Sequence, residues 1–486
     1  MTNRYTVLLV LILAVVIRLV AIDAPLLGAA SARQCDCAQV ARNYHLRGYR
    51  IARPEVDRAG VLPAPVMTGF PAYQFAVACL YAVIGVHESA GRLISLVFSL
   101  IALWYLFRFV RLRADEDTAR WSVFFCAILP LNAYYGRAFA PDSAVIASAI
   151  AGIYYFDRWL DRRCFHDWLF SVLLVMAACL MNAGFVFLAL PLSYMAVPRH
   201  HRSAARYAAL VLYAVAVLAP TALWAAHVRV LYQESGLALA GDETYVFRPG
   251  EIPALICGWD FWNQAVFQRL AGRHLTWFGF AAMIWGFVLK RRTEQEKVFD
   301  YWLAGALLYA VVFARGGISA SHHSLIFVAP AAVFMGKVYA RYYHLRLWRS
   351  GASAALVAGL AGLILTATWR YSSLLLAEDT ADSGAWKVAS LLREKTEAGA
   401  AVVAVDEGNP ADLYYSERRG WCVKAAEVSE GGIKLLDDLS ARGARYAAGM
   451  QESFVPEKLA PAFKRIMKRY PAVYDDGRFF ILNLRK

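Results

Sequence analysis

Long apolar runs separated by short polar connections cover most of the chain up to about residue 370. A helix needs roughly 20 mainly apolar residues to cross a bilayer, and about 17 can suffice. The pattern therefore predicts an α-helical polytopic membrane protein. The runs lie at about residues 5–22, 70–86, 90–109, 120–135, 140–157, 166–181, 184–197, 205–225, 274–290, 299–315, 322–340 and 352–369.

Basic residues predict the orientation of these helices. Five basic clusters fall on the cytoplasmic side, as the positive-inside rule requires, if residues 70–86 do not cross. That short run opens with Phe70-Pro71 and is predicted to lie in the membrane interface. About 11 crossings result, with the N-terminus inside, the C-terminus outside and long outer loops at 23–89 and 226–273. The clusters are Arg108, Arg111, Arg113 and Arg120; Arg158, Arg162 and Arg163; Arg199, His200, His201, Arg202 and Arg206; Lys290, Arg291 and Arg292; and Lys337, Arg341, Arg346 and Arg349.

The chain from about residue 371, called the tail below, has a different pattern. Its charged residues occur throughout, and its apolar runs are short. Ala401–Val405 predicts a buried strand, residues 432–442 and 456–469 predict helices, and Asp475-Asp476-Gly477 predicts the turn of a hairpin. Alternating strands and helices predict a small α/β domain with a partly parallel sheet. The predicted domains are a transmembrane domain over 1–370 and an extracytoplasmic α/β domain over 371–486.

Composition supports the membrane class and narrows the range of partners. Hydrophobic residues make up 59% of the 486 residues and charged residues only 18%, below the roughly one quarter that is usual in soluble proteins. The cytoplasmic clusters account for the net charge of +14, so no nucleic-acid partner is predicted. The eight cysteines show neither zinc-finger spacing nor an evident disulfide framework.

Three predicted outer loops carry polar residues that suit chemistry on an anionic lipid. Arginines neutralise a phosphate, and an aspartate can take a proton from a hydroxyl group. Ionisable groups near a bilayer are by default candidates for function. The candidates are Arg33, Gln34, Asp36, Arg42, Asn43, Glu55 and Asp57 in the first loop; Tyr135, Arg137 and Asp142 in the second; and Arg315, His322 and His323 in the third.

The acids and histidines among these candidates also have structural explanations. Asp36 stands at a plausible N-cap position before a helix predicted over residues 37–47. Asp142 suits the first turn of a helix that Pro141 begins. Paired histidines at a membrane interface are often only solvated helix ends.

The same residues resemble the motifs of the GT-C membrane glycosyltransferases, which include the protein O-mannosyltransferases and the lipid A aminoarabinose transferases. The resemblance covers most of the chain, and the first- and second-loop motifs are its specific part. The matching strings are Arg33-Gln34-Cys35-Asp36 with Ala41-Arg42-Asn43-Tyr44; Arg53-Pro54-Glu55-Val56-Asp57; Phe70-Pro71-Ala72-Tyr73-Gln74; Tyr134-Tyr135-Gly136-Arg137 with Pro141-Asp142; His322-His323; and, in the tail, Asp406-Glu407-Gly408-Asn409-Pro410 and Tyr414-Tyr415-Ser416.

This resemblance implies an inverting transfer of a sugar from a polyprenyl-phosphate carrier to an acceptor hydroxyl on a lipid, a glycan or a protein. The enzyme would lie in the cytoplasmic membrane, with its active site and tail on the periplasmic side. By resemblance, Asp36 is the general base, and Arg137, His322, His323 and Arg33 bind the donor phosphate. Residues implied to support these groups or line the acceptor path are Asp142, Gln34, Asn43, Asp57, Glu55 and Tyr135.

One departure from the family pattern concerns metal binding. Many relatives carry a glutamate where Gly69 stands, and in some of them that acid helps to hold a divalent metal. Glu55 or Asp57 is a possible substitute. The sequence therefore predicts no required metal cofactor and leaves a divalent metal as the alternative.

A transporter or flippase of a lipid-linked substrate is the alternative outside the enzymes. Transporters bury charges at mid-membrane and often show related halves. Here Arg18 is the main internal charge, no repeat is visible, and the polar residues cluster on one predicted face. This pattern favours an enzyme, for which a glycan polymerase or ligase is the closest alternative activity.

Overall fold

The computed structural model describes residues 3–28, 30–62, 64–65, 69–197, 204–235, 250, 252–314, 320–343, 351–376, 383–406, 408–454 and 460–485. The candidate Arg315, the basic residues at 199–202 and Arg346 and Arg349 lie outside these residues. The chain forms two compact units. The first comprises Met1–Ile22, Arg92–His227 and Leu239–Ser373, and the second comprises Asp23–Gly91, Val228–Ala238 and Leu374–Lys486.

Helices make up most of the chain before the tail. Three of them in the described part are long and apolar enough to cross a membrane: Glu88–Arg113, Tyr207–Glu234 and Ser321–Tyr342. Five shorter apolar helices accompany them, and the predicted number of crossings stays a prediction. The helices are Asn3–Leu19, Ser31–Arg47, Ala72–Ile84, Glu88–Arg113, Glu116–Ile128, Pro130–Tyr135, Asp142–Arg162, Phe165–Met181, Ala189–Ala196, Ala204–Ser235, Ile252–Cys257, Trp259–Phe261, Thr276–Val288, Lys297–Val312, Val328–Tyr343 and Gly351–Leu376, with 3-10 turns at Ala183–Leu188, Glu294–Glu296 and Ser321–Phe327 and a π-helix at Trp262–His274.

Some of the basic residues that predict the orientation are paired with buried acids. The Arg113 guanidinium donates to Asp157 at 2.6 Å, and the Lys337 ammonium lies 2.8 Å from the Glu296 carboxylate. All four side chains are nearly or fully buried. Removing one partner of such a pair is costly, because it leaves an uncompensated buried charge. These residues therefore hold helices together in addition to any effect on orientation.

A six-stranded mixed sheet organises the second unit. The strands of the described chain are β1 Glu55–Val56, β2 Ala59–Gly60, β3 Ala64–Pro65, β4 Ala401–Val405, β5 Arg419–Val423, β6 Tyr446–Met450, β7 Ala472–Asp475 and β8 Phe479–Asn483. The strand order of the sheet is β2-β5-β4-β6-β8-β7, with β4 parallel to both β5 and β6. Helices Gly384–Lys395, Ala411–Ser416, Ala425–Ala441 and Ala460–Arg469 accompany it, together with a 3-10 turn at Gln451–Phe454.

The central strand β4 is buried on both faces, as its continuous apolar run predicts. Val402 packs with Leu392 in one apolar cluster, and Val403 packs with Leu436 in another. Successive side chains of a strand point to opposite faces, so the two clusters cover the two sides of the sheet. The tail thereby places helices on both faces.

The segment predicted as the first outer loop contributes the edge strand β2 to this sheet. Gly60 of β2 pairs with Gly420 of β5 in antiparallel register. Gly420 has a φ of +149°, and a side chain there would overlap the Val402 carbonyl oxygen. Glycine is therefore required where β5 lies against β4. The tail and part of the first loop share one sheet, a pairing that no local pattern indicated.

Asp412 is a buried carboxyl group in the tail. Its side chain is 1% exposed, and its Oδ1 atom has no hydrogen-bond partner among the described residues. Burial raises the pKa of Asp412 well above its ordinary value, and the nearby Asp406 raises it further. Above the unfolded-state pKa of about 3.9, the folded protein holds a proton that the unfolded chain has released, so stability falls as pH rises towards the folded-state pKa.

Asp412→Asn is accordingly expected to raise the unfolding temperature at pH 8 and to change it little at pH 4. The amide stays neutral, so folding no longer binds a proton at high pH. Thermal unfolding of the detergent-solubilised protein at the two pH values measures the effect. Glu430→Gln, at an exposed carboxylate on Ala425–Ala441, is the matched control. An equal shift at both pH values would contradict a raised pKa.

Candidate functional site

Asp36 lies inside a helix and does not cap one. The helix that we call the first-loop helix spans Ser31–Arg47, and its N-cap residue is Ala30. The predicted start after Asp36 is therefore wrong. No proline or glycine interrupts residues 31–36, so nothing in that polar stretch prevents it from continuing the helix. A capping role no longer accounts for the Asp36 carboxylate.

Arg58 holds the Asp36 carboxylate in a two-pronged ion pair. The Arg58 Nε atom lies 2.8 Å from Asp36 Oδ1, and its Nη2 atom lies 3.1 Å from Oδ2. The Asp36 carboxylate raises the pKa of the Arg58 guanidinium above its ordinary value. The Asp36 side chain remains 25% exposed. The carboxylate is therefore fixed in orientation and still accessible. Arg58 was not among the candidates, and its position next to Asp57 was the only signal for it.

Asp57 is the centre of a second, largely buried network. Its carboxylate lies 3.0 Å from Arg42, 3.4 Å from Arg47 and 3.5 Å from Arg419. The Asn43 amide donates to it at 3.2 Å and also to the Glu55 carbonyl at 2.8 Å. The first-loop candidates Asn43, Asp57 and Glu55 are thus brought together. They anchor the loop between the first-loop helix and β1.

Arg33 and Gln34 occupy different surfaces of the first-loop helix. Gln34 is completely buried, whereas Arg33 is half-buried. Arg33 stands three residues before Asp36, a spacing that places two side chains on one face of a helix. Arg33 therefore shares a face with Asp36.

The tail segment that resembles the family packs on the first-loop helix. Ser31 shares a hydrogen bond with Asn409 at 3.4 Å. Arg42 donates to the Tyr414 carbonyl at 3.1 Å, and its guanidinium lies 4.7 Å from the centre of the Tyr414 ring. The tail therefore supports the helix that carries Asp36.

Arg137 is buried in the first unit and binds the end of the first helix. It donates to the Ala21 carbonyl oxygen, which also accepts a bond from Arg92 at 2.9 Å. Both arginines are 0–1% exposed. Two guanidinium groups thus converge on one carbonyl. Arg92 was not predicted, because it stands near the start of an apolar run.

The remaining second-loop candidates lie next to Arg137 in sequence. Asp142 is the first residue of Asp142–Arg162, so its predicted first-turn position is confirmed. The Tyr135 carbonyl accepts a bond from Ser143 at 2.7 Å, and the Tyr135 ring is buried. This contact ties the end of Pro130–Tyr135 to the helix that Asp142 begins.

Gly136 makes room for a third buried arginine, Arg18. Arg18 donates to the carbonyls of Ala14, Ala127 and Asn132, each at 3.2 Å. A side chain at Gly136 would overlap both the Arg18 guanidinium and the Asn132 carbonyl. The packing around Arg18 therefore explains why glycine occupies this position of the Tyr134-Tyr135-Gly136-Arg137 motif.

Gly136→Ala is expected to lower the unfolding temperature, because the added methyl group displaces Arg18 from its carbonyl partners. Overpacking of this kind costs about 1–3 kcal/mol. Gly359→Ala is the matched control, since the nearest atom to a side chain there lies at an ordinary 3.7 Å. Alanine favours helix over glycine, so the control is expected to be neutral or slightly stabilising. Equal shifts for both variants would contradict this explanation.

The histidine pair lies in the 3-10 turn Ser321–Phe327. The two rings have centroids 4.5 Å apart, and His323 Nδ1 lies 2.5 Å from the Tyr309 hydroxyl. His323 is buried and His322 is half-buried. The 3-10 turn contacts both Pro130–Tyr135 and Asp142–Arg162. The structure therefore brings the histidines onto the same helices as the second-loop motif.

The proposed substitute metal ligands are poorly placed to bind a cation. Arg47 lies 3.4 Å from both Glu55 and Asp57, so positive charge already faces the two carboxylates. Elsewhere in the described part of the chain, Cys164, His166 and Asp167 have ligand atoms within 4.8 Å of one another. Asp167 in that group is paired with Arg158 at 3.2 Å. Neither group makes a convincing metal site.

Comparisons with known proteins agree with this fold. Residues 65–224 match the family model of the dolichyl-phosphate-mannose-protein mannosyltransferases, a range that includes Arg137 and Asp142. No curated protein sequence matches the chain. The resemblance to the mannosyltransferase and ArnT group of GT-C glycosyltransferases is confirmed by this match together with the solved structures.

The similar structures cover nearly the whole chain. ArnT from Cupriavidus metallidurans in the apo state has a TM-score of 0.61 at 15% identity, over 99% of this chain and 98% of that one. The same protein bound to undecaprenyl phosphate has a TM-score of 0.56 at 13% identity, over 100% and 99%. The Archaeoglobus fulgidus oligosaccharyltransferase in complex with Zn and sulfate has a TM-score of 0.59 at 13% identity, over 92% and 68%. At these identities the likeness establishes the fold.

Proposed function

We propose that the protein is an inverting glycosyltransferase that moves a sugar from a polyprenyl phosphate to an acceptor hydroxyl at the outer face of the cytoplasmic membrane. The observation that carries this proposal is the Asp36 carboxylate, which Arg58 orients and which stays partly exposed. A fixed carboxylate of this kind can act as a general base. The ArnT-like fold, in a relative crystallised with undecaprenyl phosphate, supports the choice of donor.

In the proposed reaction, Asp36 takes the proton of the acceptor hydroxyl while the hydroxyl oxygen attacks the anomeric carbon. The bond from that carbon to the phosphate oxygen breaks, and polyprenyl phosphate leaves with the electron pair. Attack opposite the leaving group inverts the configuration at the carbon. The rate enhancement comes from positioning and from stabilisation of developing charge.

Arg137, with His322 or His323, is proposed to bind the phosphate that leaves. Guanidinium N–H groups match phosphate oxygens in a fork, and a buried setting strengthens such charge-assisted bonds. Arg33 is proposed to assist at the donor phosphate. Asp142 and Tyr135 are proposed to support the Arg137 loop, and Gln34, Asn43, Glu55 and Asp57 to support the first-loop helix. No divalent metal is proposed as a requirement.

The test is a cleavage assay with the full-length protein in lipid nanodiscs. Undecaprenyl-phosphate sugars are supplied with lipid, glycan or peptide acceptors, and we expect release of undecaprenyl phosphate together with a product of inverted anomeric configuration. The same preparation in sealed vesicles reports translocation. Movement of the lipid-linked sugar across the bilayer without cleavage of its phosphate bond would establish a transporter and overturn the proposal. Transfer of only preassembled glycans would instead identify a polymerase or ligase.

A further inference from the structure

A polar cavity of about 490 Å³ lies in the second unit, beside the first-loop helix and β5. Cavities of roughly 300–1,000 Å³ are typical of sites for small molecules and cofactors. Five arginines line it: Arg42, Arg47, Arg393, Arg418 and Arg419. The cavity does not include Asp36, Arg137 or the histidine pair. Its lining includes Asn43 and Asp57, which are proposed to support the first-loop helix, but none of the groups that are proposed to transfer the sugar.

The charge around this cavity is positive. Three carboxylates, Asp57, Glu88 and Glu417, line it against the five guanidinium groups, which leaves a formal excess of two positive charges. Glu55 lies near one of the arginines but not in the lining. Such an excess at a concave surface attracts anions.

Two of the arginines have donors available to a ligand. In the described part of the chain, Arg419 contacts an acid only through Nε, which lies 3.5 Å from Asp57, and its side chain is 40% exposed. Arg393 contacts Glu417 through Nη2 at 2.6 Å, and its side chain is 53% exposed. Since a guanidinium carries five N–H donors, several on each remain for a ligand. Arg418 has fewer donors available to a ligand, because it donates to the carbonyls of Thr396 and Ser416 and so stabilises the fold.

Exposed apolar residues stand beside these arginines. Leu46 is 66% exposed and Val86 is 38% exposed, and both line the cavity. Val83, in the neighbouring helix Ala72–Ile84, is 81% exposed. Arginines next to uncovered apolar side chains suit a molecule that has both an anionic group and a hydrocarbon part.

We propose that this cavity binds the phosphate group of an anionic lipid headgroup. The forked donors of Arg393 and Arg419 contact the phosphate oxygens, and the apolar side chains of Leu46 and Val86 contact the adjoining hydrocarbon. Phosphate suits the site because its several oxygens can accept from more than one guanidinium at once. The binding does not depend on the proposed sugar transfer.

The test measures binding of a short-chain lipid to the full-length protein in phosphatidylcholine nanodiscs. Isothermal titration with dihexanoyl phosphatidic acid is compared with dihexanoyl phosphatidylcholine and with inorganic phosphate, and empty nanodiscs supply the background. We expect Arg393→Gln and Arg419→Gln each to weaken phosphatidic acid binding by about tenfold, because each removes a charged hydrogen bond. Arg465→Gln, at an exposed arginine on Ala460–Arg469, is the control and should bind as the unmodified protein does.

Two results would overturn the proposal. Equal affinity in both cavity variants, the control and the unmodified protein would show that the cavity does not bind the probe. Inorganic phosphate binding as tightly as phosphatidic acid would show that the site takes free phosphate and not a lipid. The two cavity variants are made separately, so one decides the outcome if the other fails to fold. No sugar donor is present, so failure here leaves the proposed transfer reaction untouched.

Discussion

Asp36→Asn is expected to lower the rate of the proposed sugar transfer by about 10²–10⁴-fold, the usual contribution of a well-placed general base. The amide has the size of the carboxylate and can still accept a bond from Arg58, but it cannot take the proton of the acceptor hydroxyl. The chemical step should therefore suffer while donor binding stays within a few-fold of normal. Single-turnover release of undecaprenyl phosphate measures the chemical step, and the dependence of its rate on donor concentration gives the donor affinity.

The matched control for this variant is Asp23→Asn. Asp23 is an exposed carboxylate in the same predicted outer loop, and it begins the second unit. Its removal changes the charge of the loop by the same amount without touching the Asp36–Arg58 pair. We expect near-normal transfer from it. Near-normal transfer by Asp36→Asn as well would show that Asp36 is not the base, and a loss confined to donor affinity would place it at the phosphate.

Local sequence patterns were sufficient to predict part of the secondary structure of the tail. Strand β4 was predicted from its run of small and branched apolar residues, and the hairpin of β7 and β8 was predicted from Asp475-Asp476-Gly477. Gly477 has a φ of +83° at that turn, which glycine adopts without strain. Features of this kind depend on neighbouring residues, so the sequence specifies them directly.

Strand β5 and the start of the first-loop helix could not be predicted, because both depend on contacts with distant segments of the chain. Strand β5 begins with Arg419 and with Gly420, a residue type that is depleted in strands, and it becomes a strand because β2 and β4 flank it. The first-loop helix was predicted too short because its N-terminal part has no apolar stripe to mark it. Its polar residues are satisfied by Glu55, Asp57, Arg58 and the tail, all of which follow the helix in the sequence.

Dependence on distant contacts also limited the prediction of the candidate site residues. Asp36, Arg137 and Asp142 are predicted site residues because of their residue types and their predicted exposure on one side of the membrane. Arg58 and Arg92 were missed because their importance comes from what they contact, namely the Asp36 carboxylate and the Ala21 carbonyl. The apolar run beside Arg92 gives no sign of such a partner, and the only sign for Arg58 is its position next to Asp57. Contacts between distant segments are thus only partly visible in a sequence.

Arg137→Gln is expected to lower the transfer rate by about 10²–10³-fold, the range found when one group that stabilises developing charge is removed. Negative charge grows on the phosphate as its bond to the sugar breaks, and the buried Arg137 guanidinium would offset it. Arg137→Lys keeps the charge but loses the forked geometry, so it should recover only part of the activity. The rate constant and the donor affinity are measured as for Asp36→Asn.

A structural role of Arg137 must be separated from this catalytic one, because the same side chain donates to the Ala21 carbonyl. Arg92 binds that carbonyl too, so a purely structural loss would appear as a lowered unfolding temperature in both Arg137→Gln and Arg92→Gln. Competition by undecaprenyl phosphate provides the direct readout: its inhibition should weaken in Arg137→Gln and stay normal in Arg111→Gln, at an exposed arginine outside the site. Unchanged inhibition together with a lowered unfolding temperature would assign Arg137 to the fold and leave the phosphate to another group. Weakened inhibition at a normal unfolding temperature would place the leaving phosphate at Arg137, since only a group in contact with that anion alters its affinity without altering stability.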